Sequence, residues 1–309
     1  MLYRNWLYEW LECYVKSTSK KKTYVRYSEI VSQHLVESLG DYDMNTLTPL
    51  VLQRFVTKLL QNGNLKTGLG LSPNSVNAII SVIQNSLRTA YNLGYTEYYA
   101  ADKIKRPKAD VNQVTCFSGA EQKKIEQAVL NGTKSQMLGI VLCLYSGIRL
   151  GELLALEWKD IDFVKGELRI NKTCYDGKTD NGVFGRITNL PKTSSSLRVI
   201  PLPKQLVPIL RSLRKQSQSK YVVSNGKNAV TVRSYQRSFE RLLNTLKISR
   251  KSFHSLRHTF ATRALECGMD VKTLSEILGH KNPSVTLSRY AHSMSEYKKE
   301  MMNKVGKLL

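Results

Sequence analysis

Apolar positions in the first hundred residues recur at helical spacing. Trp6, Leu7, Trp10, Leu11 and Tyr14 share one face, and Tyr24, Tyr27, Ile30, Val31, Leu35 and Leu39 share another that stops at Gly40. Thr48-Pro49 and Ser72-Pro73 each set a capping hydroxyl before a proline at the first helical position, ahead of apolar runs at 50–60 and 76–91. The pattern predicts an all-α, four-helix N-terminal domain over 1–105. Residues 101–116 hold few large apolar side chains and a basic cluster, which places a linker at 106–116, around Arg106-Pro107. Helical periodicity returns over 121–130, 137–145 and 149–157. Short strand-like runs follow at 161–164, 167–173 and 197–201, and helices then resume to the end of the chain. The second domain, 117–309, is therefore expected to be mixed α+β. In its last stretch Tyr297, Met301, Val305 and Leu308 are spaced by four, four and three, which predicts a tail helix over 295–309 with one apolar stripe beside a Lys-rich face.

The composition supports two cores: 309 residues, 41% of them hydrophobic. Charge then narrows the function. Forty-seven Lys and Arg against 24 Asp and Glu leave a net +23, more than solubility needs, and point to a polyanionic partner. The excess is uneven, +5 over 1–106 and +18 over 107–309, and Glu240 is the only acid between Asp180 and Glu266. So long a stretch with a single acid favours phosphate contact over a merely solvated face. A membrane surface is the competing polyanion. No apolar run reaches the roughly 18 residues of a spanning helix, however, and the N-terminus, with Trp6, Glu9 and Glu12, lacks the basic-then-apolar order of a secretory signal. A soluble intracellular protein is expected. The five cysteines are an odd number, with no C-x-x-C pair and no histidine at metal-ligand spacing.

Certain side chains suit phosphodiester chemistry. Attack on a phosphodiester puts negative charge on the non-bridging oxygens while a poor alkoxide leaves, and fixed cations can stabilise that charge. Arginine forks pair two phosphate oxygens and stay charged at any working pH, so Arg149 and Arg257 are the candidate clamp. Arg149 sits among Leu142, Leu144, Ile148, Leu150, Leu153 and Leu154, where a guanidinium needs a partner. Glu152, three residues on, is close enough on a helix to orient it or to form a plain helix salt bridge. His254 and Arg257, at i and i+3, can face one phosphate from one helix. His34 reads as structural, and His258 as a packing or capping residue directed elsewhere on its helix.

Five short contexts give this set its meaning: Ser146-Gly147-Ile148-Arg149-Leu150-Gly151-Glu152-Leu153, Pro191-Lys192-Thr193-Ser194, His254-Ser255-Leu256-Arg257-His258-Thr259-Phe260-Ala261-Thr262, Leu278-Gly279-His280 and Arg289-Tyr290-Ala291-His292. Across the whole second domain the chain resembles the tyrosine recombinases, or phage-integrase family. The resemblance implies that Arg149, Lys192, His254, Arg257, His280 and Tyr290 form the catalytic set, with Glu152 in support. Tyr290, ten residues past His280 and beyond Pro283, takes the place of the nucleophile. It would form a 3′-phosphotyrosyl link, with one of the two histidines as base. Lys192, on a turn before the strand 197–201, takes the place of the acid that protonates the departing 5′ oxygen; a phosphate-binding lysine is the alternative. The role of His292 is open.

The resemblance further implies a site-specific DNA recombinase or integrase of a mobile element that needs no cofactor, metal or nucleotide. Its partner would be double-stranded DNA at recombination sites, with Lys103, Lys105, Arg106, Arg186 and Arg198 as DNA contacts. The protein would be a monomer in solution and a homotetramer on DNA, served by an accessory DNA-bending or excision factor. It would be cytoplasmic and nucleoid-associated, with reduced thiols and no membrane partner. The tail would dock in a groove of the neighbouring protomer, against the alternative of packing on its own domain. Larger family members carry an N-terminal arm-binding module, which is absent or trimmed here, and the glycine-containing stretch 174–189 is similar to the hairpin of conjugative-transposon integrases. A type IB topoisomerase would share the chemistry, and a silent DNA-binding regulator would share the fold.

Overall fold

A computed structural model describes residues 1–109, 115–132, 135–179, 182–189, 197–280, 282–290, 302–303 and 306. The chain divides into two compact units, Met1–Asn112 and Gln113–Leu309. Among the described residues no helix is long and apolar enough to cross a membrane.

The first unit is all-helical. Helix α1 runs through Tyr3–Trp10, a π-helical turn at Leu11–Val15 and Lys16–Thr18. Helix α2 has the same build, with Lys21–Ile30, a π turn at Val31–Leu35 and Val36–Leu39. Helices α3 (Pro49–Asn62) and α4 (Pro73–Asn92) start as their sequence signals require: the hydroxyls of Thr48 and Ser72 accept from the backbone N–H of Val51 and Ser75. The core gathers Trp6, Leu7, Val31, Leu35, Leu52, Val56, Ile80 and Ile83. Two polar groups enter it with partners: Trp6 Nε1 donates to Ser86 O at 3.1 Å, and Tyr3 Oη lies 2.7 Å from Ser86 Oγ.

Both ends of the expected linker, as far as they are described, are tied down. Arg106 donates to Asn77 O, Ser81 Oγ and Gln84 Oε1, and Pro107 O accepts from Asn77 Nδ2, so this segment is fastened to α4. At the other end the Thr115 and Ser255 hydroxyls are 3.0 Å apart and Phe117 N donates to Thr259 Oγ1 at 2.8 Å.

The second unit is mixed α and β. Helices α5 (Gly119–Leu130), α6 (Leu138–Ser146) and α7 (Leu150–Ala155) lead into a three-stranded antiparallel sheet. Its strands β1 (Ile161–Asp162), β2 (Glu167–Ile170) and β5 (Arg198–Pro201) lie in the order β1-β2-β5, with Leu168 opposite both Ile161 and Ile200. The strand expected at 161–164 ends at Asp162, whose Oδ1 accepts from the N–H groups of Val164 and Lys165 and turns the chain. The run expected at 167–173 divides, its end joining β3 (Thr173–Lys178), which pairs with β4 (Phe184–Asn189) as a separate hairpin. After α8 (Leu206–Gln216) comes a small hairpin of β6 (Ser224–Asn225) and β7 (Asn228–Ala229), too short to leave an alternating pattern in the sequence. Helices α9 (Val232–Thr245), α10 (His254–Glu266), α11 (Val271–Leu278) and α12 (Pro283–Tyr290) complete the unit. The stripe residues Tyr297, Met301, Val305 and Leu308 of the expected tail helix lie outside the described residues.

Candidate functional site

The site is assembled at two glycine turns. Helix α6 is almost wholly buried and stops at Gly147, which has a left-handed φ of 63°. A Cβ there would lie 2.4 Å from Phe260 Cδ1 and 2.8 Å from Leu278 Cδ2, so glycine alone fits. Helix α11 stops the same way at Gly279, φ 64°, and the His280 N–H closes the turn on Ser275 O at 3.0 Å. These turns aim the carbonyls of Gly147, Leu278 and Gly279 at arginine side chains.

Arg257, on α10, is only 2% exposed. Its Nη1 donates to Gly147 O at 2.8 Å, and its Nη2 donates to Leu278 O at 2.7 Å and lies 2.9 Å from His280 Nε2. Arg149 reaches the next carbonyl of the same turn, donating through Nη2 to Gly279 O at 3.2 Å. The two arginines expected to act together are thus tied to adjacent residues, 278 and 279.

Arg149 does not lie within a helix as the sequence suggested. Its backbone is extended (φ −75°, ψ 152°) and it caps α7, because Glu152 Oε2 reaches back to accept the Arg149 N–H at 2.9 Å. Glu152 Oε1 also takes Arg149 Nη1 at 2.8 Å, and the same buried carboxylate takes Arg198 Nη2 at 2.8 Å and Nη1 at 3.1 Å. Burial pushes the Glu152 pKa up. The hydrogen bond and charge of Arg198, followed by the charge of Arg149, outweigh it and hold the carboxyl below its ordinary value. Glu152 therefore links two arginines rather than forming a simple helix pair.

Arg198 corrects an expectation. Read from sequence as a DNA contact, it has a side chain only 6% exposed, and besides Glu152 its Nε donates to Ile277 O at 2.6 Å. It is an internal brace between β5, α7 and α11. Arg186 is likewise turned inward, donating to Leu154 O with its guanidinium 4.4 Å from the Tyr221 ring centre. Neither side chain presents an open fork to solvent, and the sequence offered no sign of this because basic residues in strands read the same on either face. In the first unit Lys103 and Lys105 are exposed, and Arg106 is exposed but bonded to α4 as described.

His254 is the first residue of α10 and is exposed. The ring of His258 meets it edge-on, centroids 4.6 Å apart at 90°, so His258 shares the face of His254 instead of turning away from it. His280 follows the Gly279 turn, with its Nδ1 2.7 Å from Thr286 Oγ1. Sequence reading passed over Thr286, since a threonine inside a helical run carries no signal of its own. Tyr290 is the last residue of α12, a helix that Pro283 opens after Asn282, whose Oδ1 caps the Ser284 N–H at 2.9 Å. The Tyr290 side chain and all of Lys192 lie outside the described residues.

Tyr235, Tyr3 and His34 are poor candidates for chemistry. Tyr235 is fully buried, donates to Gln136 O at 2.9 Å, and has its phenol pushed well above the ordinary value by burial. Burial raises Tyr3 in the same way. Burial lowers the pKa of His34, which stays with the helical packing of the first unit. Among the described residues no group of three or more His, Cys, Asp or Glu side chains could hold a metal ion.

The site can place two guanidinium groups and an imidazole beside one another on a rigid turn, an arrangement suited to a phosphate diester. Comparisons with known proteins point the same way. Residues 115–296 match the model of the phage integrase family, and residues 2–60 match that of the phage integrase N-terminal SAM-like domain. The tyrosine recombinase XerC-like protein of Caldanaerobacter subterraneus subsp. tengcongensis is 30% identical over 325 residues, which cover 94% of this chain and 79% of that one. The ICEBs1 integrase of Bacillus subtilis is 23% identical, with 94% and 79% covered. In fold, the chain is similar to the Tn1549 transposon integrase in complex with a circular intermediate DNA (TM-score 0.83, 18% identity, 99% of each chain covered). It is also similar to the lambda integrase of a tetramer bound to a Holliday junction (TM-score 0.68, 19% identity, 92% and 78% covered). The chain belongs to the phage integrase family, the tyrosine-type site-specific DNA recombinases.

Proposed function

We propose that this recombinase cuts and rejoins double-stranded DNA at the recombination sites of a mobile element, through a covalent link on Tyr290. The Tyr290 phenol attacks the scissile phosphorus, the P–O bond to the 5′ side breaks, and a 3′-phosphotyrosyl ester and a free 5′-hydroxyl result. A 5′-hydroxyl from the partner duplex then attacks the ester and releases the tyrosine. The bond energy is conserved in the ester, so neither nucleotide nor metal has a step to perform.

Arg149 and Arg257 stabilise the charge that grows on the non-bridging oxygens, and His254 donates to the same phosphate from the exposed start of α10. His280 accepts the tyrosine proton, and Lys192 supplies the proton for the leaving 5′ oxygen. Glu152 holds Arg149 in place. The observation that carries this reading is the attachment of both arginines to one turn, Arg257 on Leu278 O and Arg149 on Gly279 O, with His280 next in the chain.

In this reading the charge excess of residues 107–309 follows the DNA backbone, aided by Lys103, Lys105 and Arg106 from the first unit. The protein is a monomer in solution and a homotetramer on DNA, where the tail 295–309 docks on the neighbouring protomer. An accessory factor that bends DNA or favours excision assists it, and it works in the cytoplasm at the nucleoid. Strand exchange tests the proposal: two labelled duplexes carrying the DNA that flanks the coding sequence should yield recombinant product in EDTA. Relaxation of supercoils with no exchange product would identify a topoisomerase, and binding with neither product a regulator.

A further inference from the structure

His280 has two ring nitrogens with different neighbours. Arg257 Nη2 lies 2.9 Å from Nε2, and a guanidinium has only donors. The contact is favourable when Nε2 carries the lone pair. The proton of the neutral ring is then on Nδ1, which faces Thr286 Oγ1 at 2.7 Å, so the threonine oxygen accepts it. Thr286 is fully buried, which leaves little room for water to take its place. It also stands on α12, one helical turn before Tyr290.

We infer that Thr286 is a positioning residue for strand cleavage: by accepting from Nδ1–H while Arg257 donates toward Nε2, its hydroxyl holds His280 as the Nδ1–H tautomer, and it fastens the nucleophile-bearing helix to the arginine turn. The inference rests on the proposed function for its chemical consequence. As the bond from tyrosine oxygen to phosphorus forms, Arg257 Nη2 turns from Nε2 to a phosphate oxygen, the phenolic proton passes to the lone pair this frees, and the ring becomes a cation whose Nδ1–H bond to Thr286 strengthens with its charge. With the other tautomer, Nε2 would already carry a proton and could accept none. Thr286 acts through His280 and touches no substrate.

The test combines spectroscopy with activity in the full-length protein. In protein with 15N-labelled histidine, long-range 1H–15N spectra should show the His280 proton on Nδ1 in the wild type. Thr286→Val, which removes the hydroxyl at nearly constant shape, should move population to the Nε2–H form. It should also lower covalent-adduct formation on nicked duplex by roughly 10- to 100-fold with unchanged DNA affinity, the scale of lost support for a functional imidazole. Thr286→Ser should restore both the tautomer and the adduct to within about threefold of wild type. A wild-type ring protonated on Nε2 overturns the inference even if Thr286→Val fails to fold. An unchanged tautomer in folded Thr286→Val, or no rescue by serine, overturns it as well. If the wild type itself forms no adduct, the proposed function fails, while the spectra still decide whether Thr286 sets the tautomer.

Discussion

Glu152 and Arg198 form a buried two-point ion pair, Nη2 to Oε2 at 2.8 Å and Nη1 to Oε1 at 3.1 Å, that connects β5 to the helix beside Arg149. Removing one member strands the other charge in the interior. Glu152→Gln should cost about 3 kcal/mol of unfolding free energy at pH 7. The pH dependence has a definite sign. The folded pKa of Glu152 is depressed, so its contribution is present above the unfolded value, about 4.3, and is lost as pH falls through the folded value. Denaturant titrations should therefore show the gap between wild type and Glu152→Gln narrowing below about pH 4. A gap that is constant with pH would remove the ion pair from the account.

Gly147 should be intolerant of any side chain. Alanine would meet both a left-handed φ and a contact of 2.4 Å with Phe260, and would disturb the carbonyl that holds Arg257. Gly147→Ala should lose at least about 1–2 kcal/mol of stability, with a larger proportional loss of cleavage than of DNA binding. Equal losses in both would mean that the turn only stabilises the fold.

How far the sequence revealed this site depends on where its information is local. The four N-terminal helices were legible because the apolar faces of the first two are long and Thr48-Pro49 and Ser72-Pro73 announce the starts of the other two. The Arg257 helix was legible too, with His254 and Arg257 both on it at i and i+3. Arg149 was misplaced onto a helix because its N-cap role depends on a glutamate reaching back, which composition cannot distinguish from an i,i+3 pair. The inward turn of Arg186 and Arg198 depends on partners 32 and 46 residues away, Leu154 and Glu152, which periodicity cannot see. Thr286 was missed for the same reason, since its partner is identified only when the Gly279 turn brings His280 against α12.

Lys192 can be separated from a simple phosphate contact by its leaving group. Lys192→Ala should cleave ordinary DNA slowly, roughly 100-fold or more below wild type, yet recover on a substrate with sulfur at the 5′ bridging position, because a thiolate departs without a proton. Equal defects on both substrates would make it a binding residue.

Binding to unrelated duplex should fall steeply with salt. If the basic second unit covers 6–10 phosphates, affinity should drop roughly 10³- to 10⁵-fold between 50 and 200 mM salt, measured by anisotropy. A nearly flat dependence would show that the net charge of +23 serves something other than DNA.

The most direct measurement is a covalent trap. A duplex nicked next to the cleavage position loses its short 5′-hydroxyl fragment on cleavage, so the protein stays attached to the 3′ phosphate. Denaturing gels should show a DNA–protein adduct with wild type in EDTA, and mass spectrometry of the digested adduct should place the nucleotide on the peptide that contains Tyr290. Tyr290→Phe should bind the same duplex with nearly unchanged affinity and form no adduct. An adduct that persists in Tyr290→Phe, or one mapped to a different tyrosine, would contradict the account.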